Sequence, residues 1–146
     1  MAQPAAKKGD QIVSDGTSKV WVQPPGGPPP PPVTVPFAYG GSIDAELSGD
    51  VFVNGMSVAV AGSSSQNAVP PASQPNVISA GTPLSAVDNT ATVTGGSQTV
   101  FVNGKTAARN ADKATTWDYS TPPSPGTGKE VGNGTVVATA NVFIGG

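Results

Sequence analysis

The chain has 146 residues and a formal net charge of −2 at pH 7, with no histidine and no cysteine. That balance offers phosphates no cationic surface, so nucleic acid is not an expected partner. It also removes the commonest general base, the thiolate nucleophile and the preferred ligands of structural zinc. Glycine (19) and proline (16) are abundant, but 19 valines and 4 isoleucines stand against only 2 leucines. Valine suits a pleated, half-buried surface, so the expectation is an all-β chain of short strands and many turns. One domain, 1–146, is expected at this length.

The segment Met1–Asp10 carries Lys7 and Lys8 and no apolar run, so it does not read as a signal peptide. No stretch approaches the ~18 apolar residues that a membrane-spanning helix needs. The expectation is a protein made in the cytoplasm that, if it leaves the cell, does so without the general export signal. A first strand is expected at Val20-Trp21-Val22. Residues 23–36, with five consecutive prolines from Pro28 to Pro32, cannot be central strand or helix and read as a stiff polyproline excursion. A ligand for a proline-reading domain is the lesser reading of that run.

Asp44 and Glu46 would share one face of a strand over 42–47, with Asp50 close behind, as a carboxylate acid–base pair requires. A charged strand edge that deters aggregation is the favoured reading. The pentamer Val51-Phe52-Val53-Asn54-Gly55 recurs as Val100-Phe101-Val102-Asn103-Gly104. Asn-Gly supplies the positive φ angles of a type I′ turn, so each pentamer predicts a hairpin. The first turn places Val53 opposite Met56 and Phe52 opposite Ser57. The second places Val102 opposite Lys105 and Phe101 opposite Thr106. Hairpins this short cannot stand alone, so the copies must pack on each other. Residues 62–76 and 120–128 read as connections, residues 77–94 as one or two strands, and 62–94 as a variable middle insertion. No helix is expected. A last Val-aromatic-Ile triplet stands at Val142-Phe143-Ile144.

A second pattern runs beside these arms. Pro4-Ala5-Ala6-Lys7-Lys8-Gly9-Asp10 is matched by Lys105-Thr106-Ala107-Ala108-Arg109-Asn110-Ala111-Asp112, with a degenerate copy at Met56-Ser57-Val58-Ala59-Val60-Ala61-Gly62. Together with the Asn54-Gly55 and Asn103-Gly104 arms, these segments resemble the proline–alanine–alanine–arginine (PAAR) repeat proteins. Gly132-Asn133-Gly134-Thr135 through Gly145 resembles that family's closing strand.

The resemblance implies a small conical domain of short β-hairpins with pseudo-threefold repeats, long Pro/Gly-rich loops and no catalytic role. It implies a spike tip, one copy seated on a trimeric β-helical spike protein of a contractile injection system, such as type VI secretion or a phage-tail-like particle. Contact with a target membrane would be transient, effector cargo is a further conceivable partner, and the site of action is outside the producing cell or within the target. The structural motif residues carried over are Pro4, Ala5, Ala6, Gly9, Asp10, Asn54, Gly55, Asn103, Gly104, Ala107, Ala108, Arg109 and Asp112. Arg109 is expected to brace its own turn through Asp112 or a main-chain carbonyl.

The family's apical zinc has no ligands here, so no cofactor is expected. Asp15 or Asp118 would offer a hard cation only oxygen. Packing of Trp21, Trp117 and Tyr119 is expected to fill the apex instead. A cone also predicts that the repeated aromatics face a shared interior. The alternatives are a secreted β-rich glycan- or surface-binding module, which would expose those aromatics, and a hydrolase using only carboxylates.

Overall fold

In the computed structural model the described residues are 2–14, 18–28, 30–70, 73–84, 90–118 and 130–145, with the main chain alone at 117, 118, 130 and 131. The strands are β1 (Gln3–Pro4), β2 (Gln11–Ser14), β3 (Lys19–Gln23), β4 (Val33–Pro36), β5 (Gly40–Ala45), β6 (Phe52–Val53), β7 (Met56–Ser57) and β8 (Ser64–Gln66). A short helix, α1 (Pro75–Ala80), follows, then β9 (Thr82–Pro83), β10 (Thr90–Val93), β11 (Phe101–Val102) and β12 (Lys105–Thr106). The last strands are β13 (Lys113–Asp118), β14 (Glu130–Val137) and β15 (Phe143–Ile144). The all-β expectation holds, and α1 is the exception among the described residues. Proline at its first turn is pre-set for helix entry, and Gly81 closes it by donating to the Val77 carbonyl.

Six strands form a closed barrel in the order β10-β13-β14-β2-β5-β8, antiparallel at every pairing. Its interior holds Ile12, Ile43, Val93 and Val136 with the small residues Ala91 and Ala114. Six strands enclose little space, so small side chains are needed where the staves converge. Gly41 is such a place, since a Cβ there would overlap the main chain of Gln66. The 62–94 stretch therefore supplies two staves, β8 and β10, as well as α1 and β9. The stretch read as one closing strand is two, β14 and β15, and Asn133-Gly134 lies inside β14 rather than at a turn.

Each pair β2/β5, β8/β10 and β13/β14 starts from one copy of the motif and returns to the next. The ends where the staves leave the motifs are joined by three main-chain hydrogen bonds in a closed cycle. Ala6 N–H donates to Ala108 O (2.9 Å), Ala108 N–H to Ala59 O (3.0 Å) and Ala59 N–H to Ala6 O (2.9 Å). All three alanines are fully buried. The cycle recurs one step outward, with Lys8 N–H on Ser57 O, Ala61 N–H on Thr106 O and Asn110 N–H on Pro4 O. Bridges Lys7↔Val58, Val60↔Ala107 and Ala5↔Arg109 repeat it a third time. The three copies thus surround one axis, and only small residues can meet there because three backbones converge.

The excursions leave from the opposite end of the barrel. β3, β4 and β9 form a separate sheet in the order β4-β3-β9, with the proline-flanked β4 at an edge. Val20, Val22, Val35, Phe37 and Val77 of α1 make its core. Val20-Trp21-Val22 lies in this sheet, apart from the cycle of three copies.

Candidate functional site

The motif-bearing end of the barrel carries three two-stranded hairpins, β6/β7, β11/β12 and β1/β15. In the first two the registers are those expected, Val53↔Met56 with Phe52↔Ser57 and Val102↔Lys105 with Phe101↔Thr106. Asn54 (φ 52°), Gly55 (77°), Asn103 (52°) and Gly104 (79°) have the positive φ that a type I′ turn requires. The third hairpin joins the two ends of the sequence, with Gln3↔Ile144 and Pro4↔Phe143. Gly145 therefore occupies the position of Asn54 and Asn103.

Below each hairpin a motif turn is tied the same way. Asp10 accepts from Lys7 N–H (3.0 Å), Asp112 from Arg109 N–H (2.7 Å) and Ser63 from Val60 N–H (2.9 Å). Gly9 (φ 93°), Ala111 (68°) and Gly62 (98°) take the left-handed position. The Lys7–Asp10 pair (2.8 Å) and the forked Arg109–Asp112 pair complete two of the turns. Arg109 also donates to Gly145 O (3.2 Å), so it braces both its own turn and a main-chain carbonyl. Pro4, Ala5, Ala6, Gly9 and Asp10 thus stand with Ala107, Ala108, Arg109 and Asp112 around one axis.

Sequence reasoning missed the side chains that lock hairpin to hairpin. Ser48 and Ser97 each accept from the main chain three residues on, at Val51 and Val100 (both 3.0 Å). Ser48 Oγ donates to Asn103 Oδ1 (2.7 Å) and Asn103 Nδ2 donates to Asp50 Oδ1 (2.9 Å). Ser48 Oγ also lies 3.1 Å from Asp50 Oδ1, and hydrogen bonding to Asp50 by Asn103 first and Ser48 second holds its carboxyl below the ordinary value. Asn54 Nδ2 donates to Asn141 Oδ1 (2.7 Å), and Ser97 Oγ donates to Gly145 O. Each turn position is thereby fastened to the strand-leading loop of a neighbouring copy. The available signal was the repeated Ser-x-x-Val ahead of the first two aromatic arms.

The hairpins sort their side chains alike. Val53, Val102 and Ile144 are each 8% exposed and pack with Ala5, Val58, Val60 and Ala107. Phe52, Phe101 and Phe143 are 58%, 59% and 61% exposed. The repeated aromatics therefore face outward, contrary to the shared interior expected of a cone. The inward places beside the converging backbones are too narrow for a ring and are filled by valine, isoleucine and alanine. Val51, Met56 and Val142 add exposed apolar surface at the same end.

Main-chain polarity follows the same rule. Val58, Ala107 and Ala5 N–H donate to Val51, Val100 and Val142 O (3.0, 3.0 and 2.8 Å). By antiparallel alternation, the adjacent pairs that contain Phe52, Phe101 and Phe143 are non-hydrogen-bonded, so each phenylalanine turns its N–H and C=O away from its hairpin partner.

The other expected groups lie apart. Trp21 is half-buried on the face of β3 opposite Val20 and Val22, and Trp117 belongs to β13 near Val131 of β14. Tyr119 and Asp15 fall outside the described residues, as does the side chain of Asp118. Asp44 is exposed in β5, but Glu46 has left the strand with φ 56°, so the two carboxylates do not share a strand face. The left-handed turn at Glu46 leads the chain from β5 into the Ser48 loop, and Ser63 Oγ donates to its carbonyl (2.8 Å). Among the described residues no three acidic side chains gather to hold a metal ion. No helix among them is long and apolar enough to cross a membrane. Comparison with protein-family models, curated protein sequences and solved structures returned no match.

Proposed function

We propose that this chain is a non-enzymatic terminal cap, the tip of a trimeric β-helical spike in a contractile injection system. The observation that carries the reading is the equal exposure of Phe52, Phe101 and Phe143 on three copies that close into a cycle. A single chain gains nothing from presenting the same apolar residue three times about an axis unless its partner repeats in the same way. Three identical subunits ending at a common axis are such a partner. The outward main-chain groups beside each phenylalanine offer the ends of the partner's strands a place to continue. The excursion sheet and the proline run, at the far end of the barrel, then form the leading, pointed end, and the interlocked hairpins resist splaying under axial load.

Each exposed ring presents on the order of 100–150 Å² for burial, taking ~60% of an aromatic's area. At about 25 cal/mol per Å² that is ~2.5–4 kcal/mol gross per ring before the costs of association. Replacing one phenylalanine by serine should weaken binding to a purified trimeric spike at least 10-fold and leave thermal stability within a few degrees. Replacing all three should abolish binding. Unchanged affinity in the triple variant refutes the reading.

The exposed rings also serve the second reading, a glycan- or surface-binding module. That reading predicts binding to a glycan array by the isolated chain, lost in the same triple variant.

A further inference from the structure

The three hairpins are alike except that one has no turn. β6/β7 and β11/β12 are closed by Asn54-Gly55 and Asn103-Gly104, whereas β1 and β15 are joined only through the rest of the chain. Bringing two such arms together costs chain entropy that a two-residue turn avoids.

The residue that faces this gap also breaks the symmetry. Three equivalent motif positions point at the three hairpins, as the bridges Lys7↔Val58, Val60↔Ala107 and Arg109↔Ala5 establish. Two face hairpins with a covalent turn and are a lysine and a valine. The third faces the split hairpin and is the only arginine in the chain. Lys7 makes one side-chain bond, to Asp10 (2.8 Å). Arg109 makes four: two to Asp112 (3.2 and 3.0 Å), one to Gly145 O (3.2 Å) and one to Gly96 O (3.5 Å). The guanidinium is held in plane by the carboxylate and reaches the carbonyl at the place where the other hairpins turn. Ser97 Oγ donates to the same carbonyl.

We infer that Arg109 is the positioning residue of the third docking element: it substitutes for the missing turn and holds Phe143 level with Phe52 and Phe101. Its functional meaning rests on the docking reading above, whereas its structural part stands alone. A planar fork suits this place better than an ammonium, because two directions must be satisfied at once.

The test is amide hydrogen exchange on the full chain, comparing residues 142–145 with 52–57 and 101–106. Arg109→Ala should speed exchange at 142–145 at least tenfold over the other two hairpins, the order expected for losing a charged hydrogen bond. Arg109→Lys should recover only part of that protection. Because Arg109→Ala could unfold the base altogether, a second variant carries the control. A circular permutant opened between Gly26 and Gly27 would join Ile144 to Gln3 through an Asn-Gly turn. Within it, Arg109→Ala should leave exchange at 142–145 no faster than in the other hairpins. Uniform exchange across all three hairpins in the Arg109→Ala chain, or selective fraying that the covalent turn fails to cure, overturns the inference. Failure of the unaltered chain to bind a trimeric spike would instead sink the docking reading and leave the exchange result standing.

Discussion

Gly40 and Gly41 stand side by side in β5 and should respond oppositely to one added methyl group. A Cβ at Gly41 would fall on the Gln66 carbonyl, 2.7 Å from its carbon, and 3.3 Å from Ser65 Oγ. Gln66 is main chain of β8, paired on its other side with Thr90, so it cannot swing away as a side-chain end could. Relief requires β5 and β8 to part by on the order of 1 Å, the shortfall from ordinary contact. That separation strains the Ala68 N–H bond to Gly40 O (2.9 Å) and the Tyr39 hydroxyl's bond with Ser65 Oγ (2.8 Å). Two hydrogen bonds at about 1 kcal/mol each, with an overpacking cost of ~1–3 kcal/mol, give a loss of ~3–5 kcal/mol for Gly41→Ala. For a domain of this size the loss lowers Tm by roughly 10 °C or more. Gly40 has nothing within 4 Å of its Cβ position, so Gly40→Ala should be neutral or gain up to ~1 kcal/mol from a stiffer unfolded chain. Differential scanning calorimetry of the two variants decides it. Equal transition temperatures would mean that β5 and β8 do not close the barrel as described.

Ala6→Val, Ala59→Val and Ala108→Val should each destabilise by ~1–3 kcal/mol in urea unfolding and agree among themselves within ~1 kcal/mol, since all three are fully buried on one axis. One tolerated valine among them would deny the equivalence. Thr116 is fully buried and its Oγ1 has no hydrogen-bond partner. Thr116→Val removes the unsatisfied hydroxyl at nearly constant shape and should raise stability by ~1 kcal/mol in the same assay. Asp50 has a depressed carboxyl pKa, so its contribution is present above the unfolded-state value, ~3.9, and is lost as pH falls through the lower folded value. The chemical shift of Asn103 Nδ2 should therefore hold steady from pH 7 to ~5 and move only below ~4. Movement near pH 6 would contradict the bond to Asp50.

The hairpins were readable because Asn-Gly encodes its own backbone angles, which the Asn54-Gly55 and Asn103-Gly104 turns adopt. The staves were harder. Ser64-Ser65-Gln66 has none of the apolar alternation that marks a strand, since a narrow barrel accepts Ser65 and Gly41 where a broader sheet would place valine or leucine. The split hairpin could not be read locally, because Gln3 and Ile144 meet only when the barrel closes. The outward turn of the phenylalanines was also hidden. A Val-Phe-Val triplet fixes which residues share a face, but which face is interior depends on how closely three backbones converge. Glu46 shows the same limit, since its left-handed φ follows from the bend into the Ser48 loop and not from any turn signal around it.

The architecture separates two tasks along one axis. Small residues at Ala6, Ala59 and Ala108 let three copies meet, and the same convergence forces the rings outward on the opposite side of each hairpin. The apolar face is thus a consequence of how the repeats close. Asn103, Asn54 and Ser97 then fix each hairpin to its neighbour, so that the three hairpins are held as one unit.

The most direct test is the stoichiometry and symmetry of the complex. Native mass spectrometry of the purified chain mixed with a trimeric β-helical spike, followed by cryo-electron microscopy, should find one chain per trimer. Its barrel axis should lie on the trimer's threefold axis, with Phe52, Phe101 and Phe143 at the interface. Three chains per trimer, or one chain held with the phenylalanines in solvent, would contradict the account.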